Sequence, residues 1–136
     1  MAYEKKIPLS LNCGLDLLGE VLYGKWKIRL LYFIHQGSKR PGELQRKIPD
    51  ASRRVLNMQL NELEKHELIS KHIFAQLPPK VEYSLTDFGE SLIPVINTLG
   101  EWGDEHQDRL RDVITRATVS TAAMEAKEVR VISLKM

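Results

Sequence analysis

The sequence predicts an α+β fold in which four short helices precede a β-hairpin and a longer helix follows it. Apolar residues recur at helical spacing before Leu68 and after Thr86, and they alternate in the stretch between. The 136 residues are enough for one domain with a modest core and an added arm or tail. With 43% apolar and 28% charged residues, the composition is that of a soluble globular protein.

The first two helices are predicted over residues 15–22 and 25–36, where apolar residues keep helical spacing. Gly24 lies between them, and Gly37 can end the second helix. A third short helix is expected over residues 41–48, because Pro41 suits a first helical turn and Pro49 stops the helix.

The fourth helix begins after Ser52, which can act as its N-cap, and carries one apolar stripe. Leu56, Leu60 and Leu63 form that stripe at spacings of four and three. About four residues separate this helix from the third, which is the arrangement of a helix-turn-helix.

An extended pattern replaces the helical one after Leu68. The segments ISKHIF and VEYSLT alternate and are separated by QLPPK, so they predict a β-hairpin. Its loop contains Pro78 and Pro79 and is flanked by Lys71 and Lys80, which predicts a stiff basic tip.

A long helix is expected after Thr86, a plausible N-cap, with Pro94 either kinking it or delaying its start. Beyond Thr118 the pattern weakens, and VRVISL has strand propensity without an evident partner. We therefore divide the chain into an N-terminal arm (1–12), a domain (13–116) and a tail of uncertain structure (117–136).

This order of elements is that of a winged helix-turn-helix. The segments GKWK at 24–27 and PPKVEYSLT at 78–86, together with the position of Trp102, resemble the HxlR-type branch of the MarR-like bacterial transcription regulators. The resemblance runs from about Cys13 to Trp102. It implies a homodimer with N- and C-terminal dimerisation helices that binds palindromic operators in double-stranded DNA.

The fourth helix carries an unusual charge pattern that agrees with this resemblance. Arg53 and Arg54 stand at its N-terminus, where the helix dipole favours Asp and Glu, and a bound phosphate would reverse that unfavourable term. Lys39, Arg40 and Lys80 would add contacts to the DNA backbone. Arginine, asparagine and methionine can contact base edges. The predicted DNA-binding residues are Lys39, Arg40, Ser52, Arg53, Arg54, Asn57, Met58, Asn61 and Lys80.

The alternative for this surface is an ordinary solvated helix face, or a module that binds an acidic protein partner without specific DNA binding. The near-neutral net charge of +2 does not by itself imply DNA. Between Lys39 and Arg54, however, six basic residues stand against two acidic ones. Salt dependence and sequence preference would distinguish DNA from a protein partner.

The apolar residues at both ends exceed what a small trihelical core can cover, so they predict a twofold dimer interface. Such a dimer would place its two recognition helices about 34 Å apart, one turn of DNA. The predicted interface residues are Leu15, Leu18, Leu22, Leu99, Trp102, Leu110 and Val113.

Cys13 has two interpretations. The resemblance implies a thiol sensor of oxidants or electrophiles just before the first helix, although Gly14 stands where the family usually has proline. A helix N-terminus favours the thiolate, whereas the carboxylate of Asp16 would oppose it. The alternative is a buried cysteine that packs as a small hydrophobe. A lone cysteine excludes an internal disulfide.

Other chemistries find little support. His35, His66, His72 and His106 show no metal-site spacing, and neither a nucleophile elbow nor a phosphate loop is present. We therefore expect no enzyme activity, no metal and no cofactor, although a small-molecule or electrophile effector remains open. No apolar run has the length of a membrane span, so we expect a cytoplasmic protein without a membrane partner.

Overall fold

The computed structural model describes residues 12–134, with side-chain surroundings for residues 12–126. The predicted arm lies outside the described residues apart from Asn12. Six helices and two strands follow in order: α1 (Gly14–Leu22), α2 (Lys27–His35), α3 (Pro41–Lys47), α4 (Arg53–Lys65), β1 (Ile69–Phe74), β2 (Lys80–Leu85), α5 (Asp87–Glu105) and α6 (Gln107–Leu134). The α+β winged helix-turn-helix is confirmed, but the single late helix of the prediction is two helices.

The chain divides into two compact units, residues 1–96 and 97–136. The first unit contains the hydrophobic core, which joins α2, α3, α4, the hairpin and the start of α5. Its buried apolar residues are Leu30, Leu31, Ile34, Leu44, Ile48, Ala51, Leu56, Leu60, Leu63, Leu68, Ile69, Tyr83, Ile93 and Ile96. The second unit contains the last residues of α5 and all of α6.

Gly37 ends α2, as predicted. Its φ of +107° lies in a region that glycine adopts without strain. Two backbone hydrogen bonds form at this end of the helix. The Ser38 N–H donates to the Phe33 carbonyl at 3.0 Å, and the Gly37 N–H donates to the Ile34 carbonyl at 3.1 Å. This is a Schellman motif, so the helix terminates with its last carbonyls satisfied.

Helix α4 begins at the predicted cap. The Ser52 hydroxyl accepts a hydrogen bond from the Val55 N–H at 3.1 Å, which satisfies one of the free donors at the helix N-terminus. The predicted stripe of Leu56, Leu60 and Leu63 is buried. One face of α4 is therefore fixed to the core and the opposite face is free.

The C-terminus of α4 has a Schellman motif without glycine. Leu68 and Glu67 donate their N–H groups to the carbonyls of Leu63 and Glu64, both at 3.0 Å. Glu67 occupies the left-handed position with φ +62°, which costs a residue with a Cβ about 1 kcal/mol. The sequence offered no glycine or asparagine at this point, so the site was not predicted.

The strands β1 and β2 pair antiparallel, from Ile69 opposite Leu85 to Phe74 opposite Lys80. Tyr83 turns inward and is buried. Its N–H donates to the carbonyl of Lys39 at 2.8 Å, which joins the hairpin to the connection between α2 and α3. This hairpin is the wing, and the bond places the wing beside the start of the helix-turn-helix.

Thr86 caps α5 as predicted and also joins it to the end of α4. Its hydroxyl accepts from the Gly89 N–H at 3.0 Å and donates to the Glu67 carbonyl at 2.6 Å. Gly89 is buried against Leu68, where a Cβ atom would overlap with the Leu68 carbonyl oxygen. Only glycine allows this close approach.

The structure decides two points that the sequence left open in the C-terminal part. Pro94 lies inside α5, which begins at Asp87, so the proline does not delay the helix. Residues 129–134 continue α6 as a helix rather than a strand. Strand propensity is realised only where a neighbouring strand is available for pairing. These residues instead extend the helix that precedes them. Among the described residues, no helix is both long and apolar enough to cross a membrane.

Candidate nucleic-acid interface

The outward side of α4 carries the side chains predicted to contact DNA. We call Arg53, Arg54, Asn57, Met58 and Asn61 the reading face; all five are exposed, Met58 by 52%. At about 100° per residue, most of them point away from the buried leucine stripe. The face combines guanidinium, amide and thioether groups that are suited to base edges in a major groove.

The N-terminus of α4 is positively charged. No acidic residue stands in its first turn, and Arg53 and Arg54 are both exposed there. The Ser52 side chain satisfies one N–H group at this end of the helix. The helix dipole and two guanidinium groups thus act together in favour of a negatively charged ligand.

The start of α2 holds α4 in position. Lys27 is 1% exposed and forms an ion pair with Glu62 of α4. The Trp26 N–H donates to the Gln59 side chain at 2.9 Å. Gly24, with φ +156°, lets the chain pass close to both Gln59 and Lys27. The GKWK segment therefore supports α4.

Sequence reasoning singled out GKWK but missed this role. A lysine is seldom buried unless it is paired, and its partner Glu62 lies on a different helix. The available signal was the helical spacing, which places Lys27 on the same face as Leu30, Leu31 and Ile34.

The wing is less basic than predicted. Lys80 is half-buried, with its Nζ 3.1 Å from Glu82 Oε1 and 4.7 Å from the centroid of the Phe74 ring. Arg40 approaches the same carboxylate oxygen with its Nε at 3.8 Å. The hydrogen bond from Lys80, followed by the charges of Lys80 and Arg40, lowers the pKa of Glu82. An ionised Glu82 therefore offsets two of the predicted phosphate-binding cations.

The expectation of a basic tip is wrong. Lys71 lies in mid-strand opposite Tyr83, and Lys80 begins β2. The loop between the strands, residues 75–79, carries no charge, and its Leu77 is 97% exposed. Period-two spacing already placed Glu82 on the same side of the strand as Lys80, so this correction was available from the sequence.

Lys39 and Arg40 lie at the N-terminus of α3, where Arg40 is the N-cap residue. Both side chains are exposed. Because the Lys39 carbonyl accepts the hydrogen bond from Tyr83, the two cations stay beside the wing. The structure thus brings Lys39, Arg40 and Lys80 to one end of the helix-turn-helix.

Cys13 is the N-cap residue of α1 and its thiol is exposed. The backbone N–H groups of Asp16 and Leu15 lower the pKa of this thiol, although their contact with Sγ falls short of a capping hydrogen bond. Asp16 thus acts through its N–H in favour of the thiolate. An exposed thiol does not fit the alternative of a buried packing residue.

The predicted interface residues differ in their surroundings. Leu22 packs against the core of the first unit and Leu18 is half-buried, whereas Leu15 is 78% exposed. In the second unit Leu110 is half-buried. Leu99, Trp102 and Val113 are 50%, 56% and 38% exposed. The Trp102 indole stacks on the His106 ring, with 4.6 Å between their centroids.

No group of three or more His, Cys, Asp or Glu side chains that could hold a metal ion occurs within the part of the chain that the structure describes.

Comparison with known proteins adds to this geometry. Residues 21–111 match the model of the HxlR-like helix-turn-helix family. The HTH-type transcriptional regulator YkvN of Bacillus subtilis is 44% identical over 98 residues, which cover 72% of this chain and 83% of YkvN.

Two solved structures are also similar. The redox regulator HypR in its reduced form has a TM-score of 0.70 and 39% identity, covering 74% of this chain and 99% of HypR. The reduced form of the transcriptional regulator YodB from B. subtilis has a TM-score of 0.59 and 28% identity, covering 70% of this chain and 94% of YodB. With its winged fold and this family match, the chain belongs to the HxlR-like helix-turn-helix family of transcription regulators.

Proposed function

We propose that this regulator binds a palindromic operator in double-stranded DNA as a homodimer and represses transcription there. The observation that carries the proposal is the reading face, where five exposed side chains lie on a helix whose other sides are fixed by the leucine stripe and the GKWK segment. A rigid support keeps side chains in place for base recognition. The alternative, a module that binds only proteins, has no support in the comparisons.

Arg54→Ala and Asn57→Ala test base recognition by the reading face. Each is expected to cost about 1 to 3 kcal/mol on an operator selected from random duplex DNA, if the side chain contacts a base in two places. Binding to unrelated DNA should change much less.

Lys80→Ala is the contrasting variant, because it should weaken operator and random DNA alike. Its effect should be small, since Glu82 already offsets this cation. If all three variants bind the operator as the wild type does, the reading surface is assigned wrongly.

Homodimerisation is supported by apolar side chains exposed in the isolated chain. They include Leu15 on α1 and Leu99, Trp102 and Val113 in the second unit. Large exposed apolar patches mark interaction sites. Analytical ultracentrifugation should show a dimer at micromolar concentration, and Trp102→Glu should shift it towards the monomer. A wild-type monomer at that concentration would contradict the proposal.

We further infer that Cys13 responds to oxidants or electrophiles. The thiol is exposed, and its pKa is lowered by the start of α1. Because the thiolate is the reactive form, a lowered pKa raises the reactive fraction at neutral pH. The names of HypR as a redox regulator and of the diamide-treated form of YodB agree with such a role.

The rate of Cys13 alkylation against pH tests this inference. Its midpoint should fall below the free value of about 8.5, and diamide should change operator binding by the wild type but not by Cys13→Ser. A midpoint at or above the free value, with binding unaffected by diamide in both proteins, would remove Cys13 as a sensor.

A further inference from the structure

A second group of cations lies just before α2, on α2 and at the end of α3. Lys25, Arg29 and Lys47 are exposed, and they alternate in space with the half-buried rings of Trp26 and Phe33. We call these five residues the cation–aromatic surface.

The rings hold the cations in a row. Lys25 Nζ lies 4.9 Å from the centroid of a Trp26 ring, and Arg29 Cζ lies 5.7 Å from Trp26 and 5.6 Å from Phe33. Lys47 Nζ is 6.0 Å from Phe33, and Arg29 also donates to the Lys47 carbonyl at 3.3 Å. Cation–π contacts at these distances reduce the freedom of long side chains but leave their charge in place.

The two flanks of α4 differ in how their cations are balanced. Near the wing, Glu82 faces both Lys80 and Arg40, and Glu43 also approaches Arg40. On the cation–aromatic surface, none of the three cations forms an ion pair with a described residue. Within the described residues, their positive charge is therefore not offset by an ion pair.

This surface and the wing flank α4 on opposite sides. At about 100° per residue, Gln59 and Glu62 lie on one side of the leucine stripe, and Arg53 and Glu64 lie on the other. Trp26 and Lys27 bind the first side. Burial and the charge of Glu64 raise the pKa of Tyr83 in the wing, and the charge of Arg53 lowers it, which agrees with a wing on the second side. The reading face lies between the two flanks.

We propose that the cation–aromatic surface binds the sugar-phosphate backbone of operator DNA and supplies more of the sequence-independent affinity than the wing does. The proposal rests on the proposed operator binding by α4. A major groove is about 12 Å wide, and a helix with its side chains is about 10 to 12 Å across. With α4 in the groove, the phosphates of the groove wall therefore meet the elements that flank α4.

The test compares two sets of charge-removing variants, by their effect per removed charge, on selected operator and on random duplex DNA over a range of salt concentrations. The triple variant Lys25→Gln/Arg29→Gln/Lys47→Gln should weaken binding to both DNAs at least about tenfold at low salt and reduce the salt slope by about one for each lost contact. The double variant Arg40→Gln/Lys80→Gln should have a smaller effect per removed charge. Arg111→Gln in α6, which removes a cation paired with Asp108, is the control and should leave the slope unchanged.

Three outcomes are informative. Failure of the wild type to prefer any operator would contradict the proposed function itself. If the wild type prefers an operator but the triple variant has an unchanged salt slope, the inference is overturned. The surface would then be one that contacts a protein partner. If the triple variant unfolds, Lys25→Gln alone decides, because this side chain is exposed and lies over the Trp26 ring. A slope reduced by about one supports the inference, and an unchanged slope overturns it.

Discussion

The two compact units of the chain differ in what surrounds their apolar side chains. Every side chain that the structure shows as buried belongs to residues 1–96, whereas none of the described residues 97–126 is buried. The first unit has its own core, and the second has exposed Leu99, Trp102, Ile114 and Met124 instead. The first unit is therefore packed within this chain, and the exposed apolar side chains of the second unit are those that the proposed homodimer would cover.

Truncating one leucine in each unit tests this difference most strongly. Leu60 is 0% exposed, so Leu60→Ala should lower the free energy of unfolding by about 3 kcal/mol through lost burial and a cavity. Leu99 is 50% exposed, and Leu99→Ala should cost less than about 1 kcal/mol in dilute protein. Urea unfolding at several protein concentrations measures both.

If the second unit packs in a dimer, the cost of Leu99→Ala should increase with protein concentration, and that of Leu60→Ala should not. Equal costs at low concentration would contradict the distinction between the units.

Close packing in the first unit can be tested at Gly89. A Cβ atom at this position would overlap with the Leu68 carbonyl oxygen, so Gly89→Ala should cost about 2 to 3 kcal/mol as backbone shifts relieve the clash. Gly42→Ala in α3 is the matched control, because nothing lies within 4 Å of the added atom. Thermal melting that shows equal effects for the two variants would mean that the close approach is absent.

The ion pair between α2 and α4 predicts unequal effects from its two members. Lys27 is 1% exposed, whereas the Glu62 side chain is 48% exposed. Glu62→Ala leaves a buried cation without its partner and should cost about 2 kcal/mol, less than for a fully buried pair. Lys27→Met leaves a carboxylate that water can solvate and should cost less than about 1 kcal/mol. Denaturant titration of both variants gives the comparison, and the reverse order would refute this account of the pair.

The smallest expected effect is an increase in stability from a substitution at the end of α4. Glu67 has φ +62°, a conformation that glycine adopts without strain. Glu67→Gly should raise the free energy of unfolding by up to about 1 kcal/mol, because removing the strain outweighs the added freedom of the unfolded chain. Glu64→Gly, inside the same helix, should instead be destabilising by about 1 kcal/mol. If Glu67→Gly instead lowered the free energy of unfolding, the Glu67 side chain would stabilise the fold by more than its backbone conformation costs.

Local sequence signals predicted much of the first unit. Ser52 and Thr86 cap their helices as expected, and Gly37 ends α2. These features depend on residues a few positions apart, where propensity and spacing are informative. The buried stripe of α4 followed from the same reasoning.

Features that depend on distant residues were not predicted. The burial of Lys27 requires Glu62 on another helix, and the clash at Gly89 involves Leu68, two elements earlier. Glu67 takes its conformation because its carbonyl accepts a hydrogen bond from Thr86 and its N–H donates to the Glu64 carbonyl in α4. The division of the late helix near His106 was not predicted either, although Gly100 and Gly103 precede it, because a glycine inside a helical pattern does not by itself mark a helix end.

The two edges of the small sheet have different consequences for solubility. The edge of β2 is partly covered, because Tyr83 donates its N–H to Lys39. The strand β1 has its only described strand partner in β2, and its residues Ser70, Lys71, His72 and Ile73 are exposed. An open edge can pair with a second molecule and start aggregation, and a lysine in mid-strand opposes such pairing through charge repulsion and hydration. We therefore expect Lys71, which is not among the proposed operator contacts, to oppose edge-to-edge pairing of two wings.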